Sequence, residues 1–168
     1  NTMAAMHKTA RPSDGALRHE AQPLVDILMA TYNGAKYLSQ QLDSLLAQTH
    51  QNFRLLVSDD GSTDNTLALL ETYRFRFGGR MVVVPHPHRG QGVVKNFENL
   101  MRTSLQDGLA RSVAFCDQDD VWLPHKIERC LQVLRAAEHS VGAATPCLVH
   151  SVLTVVGEAL QVLAPSFV

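Results

Sequence analysis

Beyond Pro23 the apolar positions change period in a regular order. Val25 to Ala30 is a short apolar run, the Tyr32-Asn33-Gly34 turn follows, and Leu38, Leu42, Leu45 and Leu46 then recur at helical spacing. That pattern predicts strand, loop and amphipathic helix. A second unit repeats it, with a strand over Phe53 to Val57, a polar turn from Ser58 to Thr63, and an inner helix face marked by Leu67, Leu70 and Tyr73. Ser62 or Asp64 is expected to cap the free N–H groups of that helix. The third strand, Met81 to Val84, is closed by Pro85 and leads through the loop His86 to Gly92 into a helix carrying Val93, Phe97, Leu100 and Met101. The fourth, Ser112 to Cys116, runs into Asp117-Gln118-Asp119-Asp120 and a helix opened by Pro124, with Ile127, Leu131 and Leu134 inward. Strands alternating with helices at this spacing predict an open, mostly parallel α/β sheet flanked by helices.

Residues 1–22 have neither period, so they read as a flexible tail, and 23–168 as the folded domain. The tail lacks the unbroken apolar core of a signal peptide, and the apolar stretch Cys147 to Ala164 is interrupted by His150, Ser151, Gly157, Glu158 and Gln161. A soluble chain is expected. Its 168 residues, 45% of them hydrophobic, suit one core. Fifteen basic and sixteen acidic residues leave a net charge of -1, so no overall field draws nucleic acid. Cys116, Cys130 and Cys147 are too few and too scattered for a disulfide framework or a zinc knuckle, and read as reduced core residues of a cytoplasmic protein. The eight histidines have no metal-ligand spacing and are expected mostly on the surface or in loops.

In open α/β sheets ligands bind beyond the carboxyl ends of the strands, so the four strand-end loops carry the chemical reading. Asp117, Asp119 and Asp120 place three carboxylates within four residues, and their mutual repulsion calls for a cation or a set of backbone N–H groups. Oxygen-only ligands favour Mg²⁺ or Mn²⁺, with most of the coordination sphere left for water and a diphosphate. The competing reading is a solvated acidic turn that complements the following helix dipole. Asp59 and Asp60, before Gly61, suit hydrogen bonds from a base N–H or ribose hydroxyls, but an Asx-turn with a helix cap would use the same residues. Arg89-Gly90-Gln91-Gly92 pairs a cation with flexible backbone and is by itself an ordinary loop.

The segments Val25 to Gly34, Gln48-Thr49, Asp59 to Thr66 and Phe115 to Trp122 together resemble the family 2 glycosyltransferases with the GT-A fold, a Rossmann-like, mostly parallel sheet. Asp117 and Asp119 match the family's Asp-x-Asp motif. The Asp-Gln-Asp-Asp-Val-Trp form, with Leu148 to Ser151 and Ala164 to Phe167, looks most like bacterial rhamnosyltransferase-type members that build surface polysaccharides. The resemblance implies an inverting, metal-dependent transfer from a dTDP- or UDP-sugar to a saccharide acceptor, a polysaccharide or glycolipid. It also implies peripheral association of the longer enzyme with the inner face of the membrane. Carried over by position, Thr31 and Tyr32 contact the nucleotide, Asp60 reads the pyrimidine base with Asp59 beside it, Asp117 lies near sugar and ribose, and Asp119, with Asp117, contacts Mn²⁺ or Mg²⁺. Trp122 has a competing role in packing the next helix against the sheet.

In that family the acceptor is deprotonated by a carboxylate from an acidic motif well after the Asp-x-Asp region, which is expected beyond Val168. Glu158, in Gly157-Glu158-Ala159, reads as a hairpin turn and a poor base. Val152 replaces the Asp that related sequences often carry after His-Ser. The chain is therefore expected to be the donor-binding part of such an enzyme. Two alternatives stand beside this reading: a non-catalytic nucleotide-binding domain on the same fold, and a haloacid dehalogenase-like phosphohydrolase with Asp117 as nucleophile. No Gly-x-Gly-x-x-Gly follows the first strand, which argues against a nicotinamide-binding module.

Overall fold

The computed structural model describes residues 22–86, 89–142 and 144–167. The tail expected over 1–22 therefore lies, apart from Gln22, outside the described residues. Strands β1 (Val25–Thr31), β2 (Phe53–Asp59), β3 (Met81–Val83) and β4 (Ser112–Cys116) alternate with helices α1 (Ala35–Leu46), α2 (Thr66–Arg76), α3 (Val93–Asp107) and α4 (Lys126–Val141). A hairpin of β5 (Leu153–Val156) and β6 (Val162–Phe167) follows. The first four strands form one sheet in the order β3-β2-β1-β4, every pairing parallel, and the hairpin forms a separate antiparallel pair.

The period of two along the strands decides which side of the sheet each residue faces. Ile27, Met29, Phe53, Leu55 and Val57 join Leu38, Leu42, Leu45, Leu70, Tyr73 and Phe77 in the core under α1 and α2. Leu28, Ala30 and Leu56 point the other way and pack with Leu100, Phe97 and Met101 of α3. Each fully buried Leu contributes about 1.5–3 kcal/mol. β1 and β2 run further than the apolar runs suggest, because Thr31, Ser58 and Asp59 keep the ladder pairing after hydrophobicity has ended, whereas β3 stops at Val83, one residue short of the expected Val84. Two expected core positions are exposed: Leu67 (42%) and Val93 (58%). Each lies in the first turn of its helix, while the buried stripe begins with Thr66 in α2 and Asn96 in α3.

Helix starts are held by neighbouring loops. Asp64 accepts the Thr66 N–H at 3.0 Å through Oδ1 and the Ala35 N–H at 3.0 Å through Oδ2, so it serves α2 as expected and α1 as well. Ser62 does otherwise: its Oγ accepts the Asn33 N–H at 2.9 Å. The hairpin turn contains Glu158, whose carboxylate pairs with Lys36 of α1. Among the described residues, no helix is long and apolar enough to cross a membrane.

Far from the strand ends that carry the loops, Asp26 is fully buried and faces α3. Arg54 donates to it from Nε at 2.9 Å and Nη2 at 2.6 Å, and from Nη1 to Asp107 at 2.6 Å, while the Ser104 hydroxyl donates to Asp26 at 2.6 Å. Asp107 ends α3, where the helix dipole disfavours negative charge, and the guanidinium offsets this. Arg54 holds the Asp107 carboxyl below the usual carboxylate range. Removing one partner of a buried pair leaves a charge uncompensated. Arg54→Met is expected to lower stability by about 3–5 kcal/mol in urea unfolding. Arg54→Met combined with Asp26→Leu should recover part of that loss, and a double variant as unstable as the single one would contradict the pairing.

Candidate functional site

The chain order places β1 in the middle of the sheet. The crossovers through α1 and α2 add strands to one edge of β1, and the α3 connection returns to the opposite edge to place β4. Connections that diverge from one strand leave a crevice at its carboxyl end. There the structure has an open cleft of about 450 Å³, lined by Ala30, Thr31 and Tyr32 from β1, Asp60 after β2, Asp117, Gln118 and Asp119 after β4, and Gly90, Gly92, Val93 and Asn96 at the start of α3. Of the residues expected at the site, Thr31, Tyr32, Asp60, Asp117 and Asp119 meet here. Asp59 does not line the cleft.

Strand alternation separates the two neighbouring acids. Asp59 faces the α1–α2 side, where its carboxylate accepts the Thr31 hydroxyl at 2.8 Å, the Gly61 N–H at 3.0 Å, the Ser62 N–H at 2.8 Å and the Ser62 hydroxyl at 2.5 Å. This is the Asx-turn left open in the sequence reading, and it also orients Thr31. Asp60 faces α3. It is buried (5% exposed), and its carboxylate accepts the N–H groups of Gln91 at 3.0 Å and Gly92 at 2.7 Å. Burial works against ionisation of Asp60, but those N–H groups, helped by the His86 ring and the Gly90 backbone, outweigh it and hold the carboxyl below the usual range. Gly92 takes φ 83° at the turn into α3, a conformation that side chains rarely adopt. His86, in the loop after β3, has only 5% of its side chain exposed, with Nε2 3.8 Å from Asp60 Oδ1. His50 is likewise buried, its ring nitrogen bonded to the carbonyls of Pro23 and Asn52.

The acidic loop divides in a similar way. Asp117 and Asp119 are exposed on the cleft, whereas Asp120 is half-buried and off its lining. Burial, with the Asp117 and Asp119 carboxylates beside it, raises Asp120 above the usual range against the opposing charge of Lys126. Among the described residues no three metal-binding side chains converge on one point. Asp117 and Asp119 are the carboxylates of this loop that line the cleft, and two carboxylates there could offer oxygen ligands to a cation only together with other donors.

Helix α1 supports this loop from beneath. Gln41 Nε2 donates to Cys116 Sγ at 2.7 Å, and Ser44 Oγ accepts the Trp122 N–H at 3.0 Å. Gln48 donates to the Leu123 carbonyl at 2.9 Å and accepts the Ile127 N–H at 3.2 Å. Trp122 is buried (4% exposed) in the α1–α2 core, with Lys126 Nζ 4.7 Å from its ring centroid. Burial pushes the Cys116 thiol up, as befits an inert core cysteine, and all three cysteines are free. Glu158 pairs with Lys36 away from the cleft lining.

Two cleft residues were not singled out in the sequence. Asn96 is buried (1% exposed) and donates to the Ser58 carbonyl at 2.8 Å and the Thr31 carbonyl at 3.4 Å, while its Oδ1 has no hydrogen-bond partner among the described residues. A polar residue on the buried 96/100/104 stripe of α3 was the available signal. Gln118 lay inside the acidic motif and exchanges two hydrogen bonds with the Tyr32 backbone.

Comparison with known proteins converges on the same segment. The chain is 32% identical over 114 residues to an uncharacterized glycosyltransferase of Nostoc, covering 68% of this chain and 34% of that protein. It is 33% identical over 106 residues to the dTDP-rhamnosyl transferase RfbG of Shigella flexneri (63% and 36%). It is 32% identical over 111 residues to the UDP-Glc:alpha-D-GlcNAc-diphosphoundecaprenol beta-1,3-glucosyltransferase WfgD of Escherichia coli (66% and 41%). The chain thus spans between about a third and two fifths of the length of these relatives. Among solved structures, S. aureus TarS 1-349 superposes with a TM-score of 0.56 at 26% identity, over 68% of this chain and 33% of that one. Its complex with UDP-GlcNAc superposes at 0.57 and 23% identity, over 79% and 40%, a likeness of fold. The model of Glycosyl transferase family 2 matches residues 26–152, which include all four strand-end loops of the cleft. This chain, folded as a GT-A domain, belongs to glycosyltransferase family 2.

Proposed function

We propose that residues 23–168 form the donor-binding part of an inverting glycosyltransferase that transfers a sugar, with rhamnose the leading candidate, from a dTDP- or UDP-sugar to a polysaccharide or glycolipid acceptor. The observation that carries this reading is the cleft at the β1–β4 switch point, walled by Asp60, Asp117 and Asp119. The donors named for two relatives, dTDP-rhamnose and UDP-glucose, support a pyrimidine nucleotide, and the diphosphoundecaprenol-linked acceptor named for one supports a lipid-linked saccharide.

In this reading Tyr32 and Thr31 flank the nucleoside, and Asp60 accepts the base N–H from the α3 side of the sheet. Asp59 acts indirectly, by fixing the Thr31 hydroxyl. Asp117 and Asp119 would hold Mn²⁺ or Mg²⁺ against the donor diphosphate. When bound, the cation supplies charge neutralisation for the leaving nucleoside diphosphate. Asp117 also lies within reach of the sugar and ribose. The general base for the acceptor hydroxyl is assigned outside the described residues, since Glu158 is engaged by Lys36.

Titration of UDP and dTDP into the purified chain, with and without Mn²⁺, tests the donor site. Asp119→Ala is expected to weaken the metal-dependent binding by at least about tenfold, or 1.4 kcal/mol. Binding of neither nucleotide under any metal condition would overturn the reading. Hydrolysis of the bound sugar nucleotide without acceptor would distinguish an enzyme from a binding domain on the same fold.

Asp60 has a pH dependence whose sign is set by its lowered carboxyl. Because the folded value lies below the unfolded one, its contribution to holding residues 90–92 is complete above the ordinary carboxylate range and is lost as pH falls through the lowered folded value. The amide resonances of Gln91 and Gly92 are expected to shift together in that acidic window. Asp60→Asn, which turns one acceptor into a donor, should displace them already at neutral pH, abolish the titration and weaken nucleotide binding by about tenfold.

A further inference from the structure

Gly34 needs an explanation that its backbone does not supply. It begins α1 with φ -98° and ψ 6°, angles open to any residue. A β-carbon there would lie 2.2 Å from Gln118 Oε1, 2.5 Å from Cδ and 3.2 Å from Cγ. The space beside Gly34 is therefore occupied by a side chain from a loop that follows β4, on the far side of the site's chain order.

That side chain is held at two points. The Tyr32 N–H donates to Gln118 Oε1 at 2.9 Å, and Gln118 Nε2 donates to the Tyr32 carbonyl at 3.0 Å. The primary amide thus closes both main-chain groups of one residue in the manner of a β-bridge, and only a donor and an acceptor on one planar group match both. The Tyr32 end is itself secured, since Asn33 N–H donates to Ser62, Asn33 Oδ1 accepts the Thr63 N–H at 2.8 Å, and Gly34 N–H donates to Thr66 Oγ1 at 2.9 Å. Gln118 lies between Asp117 and Asp119, which are exposed on the cleft.

We infer that Gln118 is a positioning residue that ties the acidic loop to the first strand-end loop, with Gly34 as the space it requires, so that Asp117 and Asp119 are presented to the donor in one fixed arrangement. This rests on the donor reading for its functional consequence, while the tie itself does not. The amide oxygen and nitrogen are both engaged by the Tyr32 backbone, so the residue acts through the backbone of its two flanking carboxylates and of Tyr32.

A mutant cycle separates the two parts. Gly34→Ala should lower the melting temperature by about 4 °C, because the methyl overlaps the Gln118 side chain. In a Gln118→Ala background, which removes all three clashing atoms, Gly34→Ala should cost almost nothing. Equal costs in both backgrounds would overturn the tie. For the functional part, Gln118→Ala should raise the Mn²⁺ concentration that half-saturates UDP binding by about tenfold, a larger change than it makes in metal-free UDP affinity. Gln118→Met, which keeps the length and loses the amide, should behave like Gln118→Ala. A loss of stability without a change in the Mn²⁺ requirement would reduce Gln118 to a structural residue and overturn the positioning role. If the wild-type chain binds neither UDP nor dTDP, the donor reading fails, and the melting cycle alone decides whether the tie exists.

Discussion

Strand β1 is hydrogen-bonded along both edges, to β2 over its full length and to β4 from Val25 to Met29. The rest of the molecule depends on this double pairing. With α1 and α2 packed on one face and α3 on the other, all seven of its residues are buried, and the double pairing sends the connections on its two sides in opposite directions. The crevice at its carboxyl end follows from that divergence. A parallel strand paired on one side only would have no such opening beside it, and the acids after β2 and β4 would not face a common space.

Regular structure ends at this edge, and cross-loop hydrogen bonds take over. Asp59, Asn33, Asp64 and Thr66 join the first two loops, Asp60 holds the start of α3, and Gln118 brings the acidic loop to Tyr32. From below, Gln41 and Ser44 of α1, with Gln48 just beyond its end, bring buried polar groups to the end of β4 and to the main chain after it, which has no sheet partner. Buried polar groups are costly unless paired, and here each pairing also fixes part of the site. The site is therefore made largely from side chain to backbone contacts between loops.

Much of this was legible in the residues. The change of period marked the four strands of the parallel sheet and the four helices, though not β5 and β6, because burial of one face of each element is a local property that repeats along the chain. The strand-end acids stood out because clustered carboxylates after a buried strand are costly, and the hairpin turn at Glu158 was signalled by its glycine. Strand ends were less legible: Thr31, Ser58 and Asp59 are polar, and they stay in the sheet through backbone bonds that do not depend on hydrophobicity. Leu67 and Val93 were misplaced because a period of 3.6 does not say where the buried stripe begins.

The sequence by itself determined the element order, the fold class and the family, since these rest on local periodicity and on motifs read in order. Tertiary structure decided which member of each motif does what. Asp59 and Asp60 are chemically identical neighbours, and only the side of the sheet that each faces makes one an Asx-turn and the other a wall of the cleft. In the same way Gln118 and Gly34 acquire meaning from a distance of a few ångströms between residues far apart in the chain. Alternation along a strand and contact across loops are three-dimensional relations, and no one-dimensional pattern encodes them.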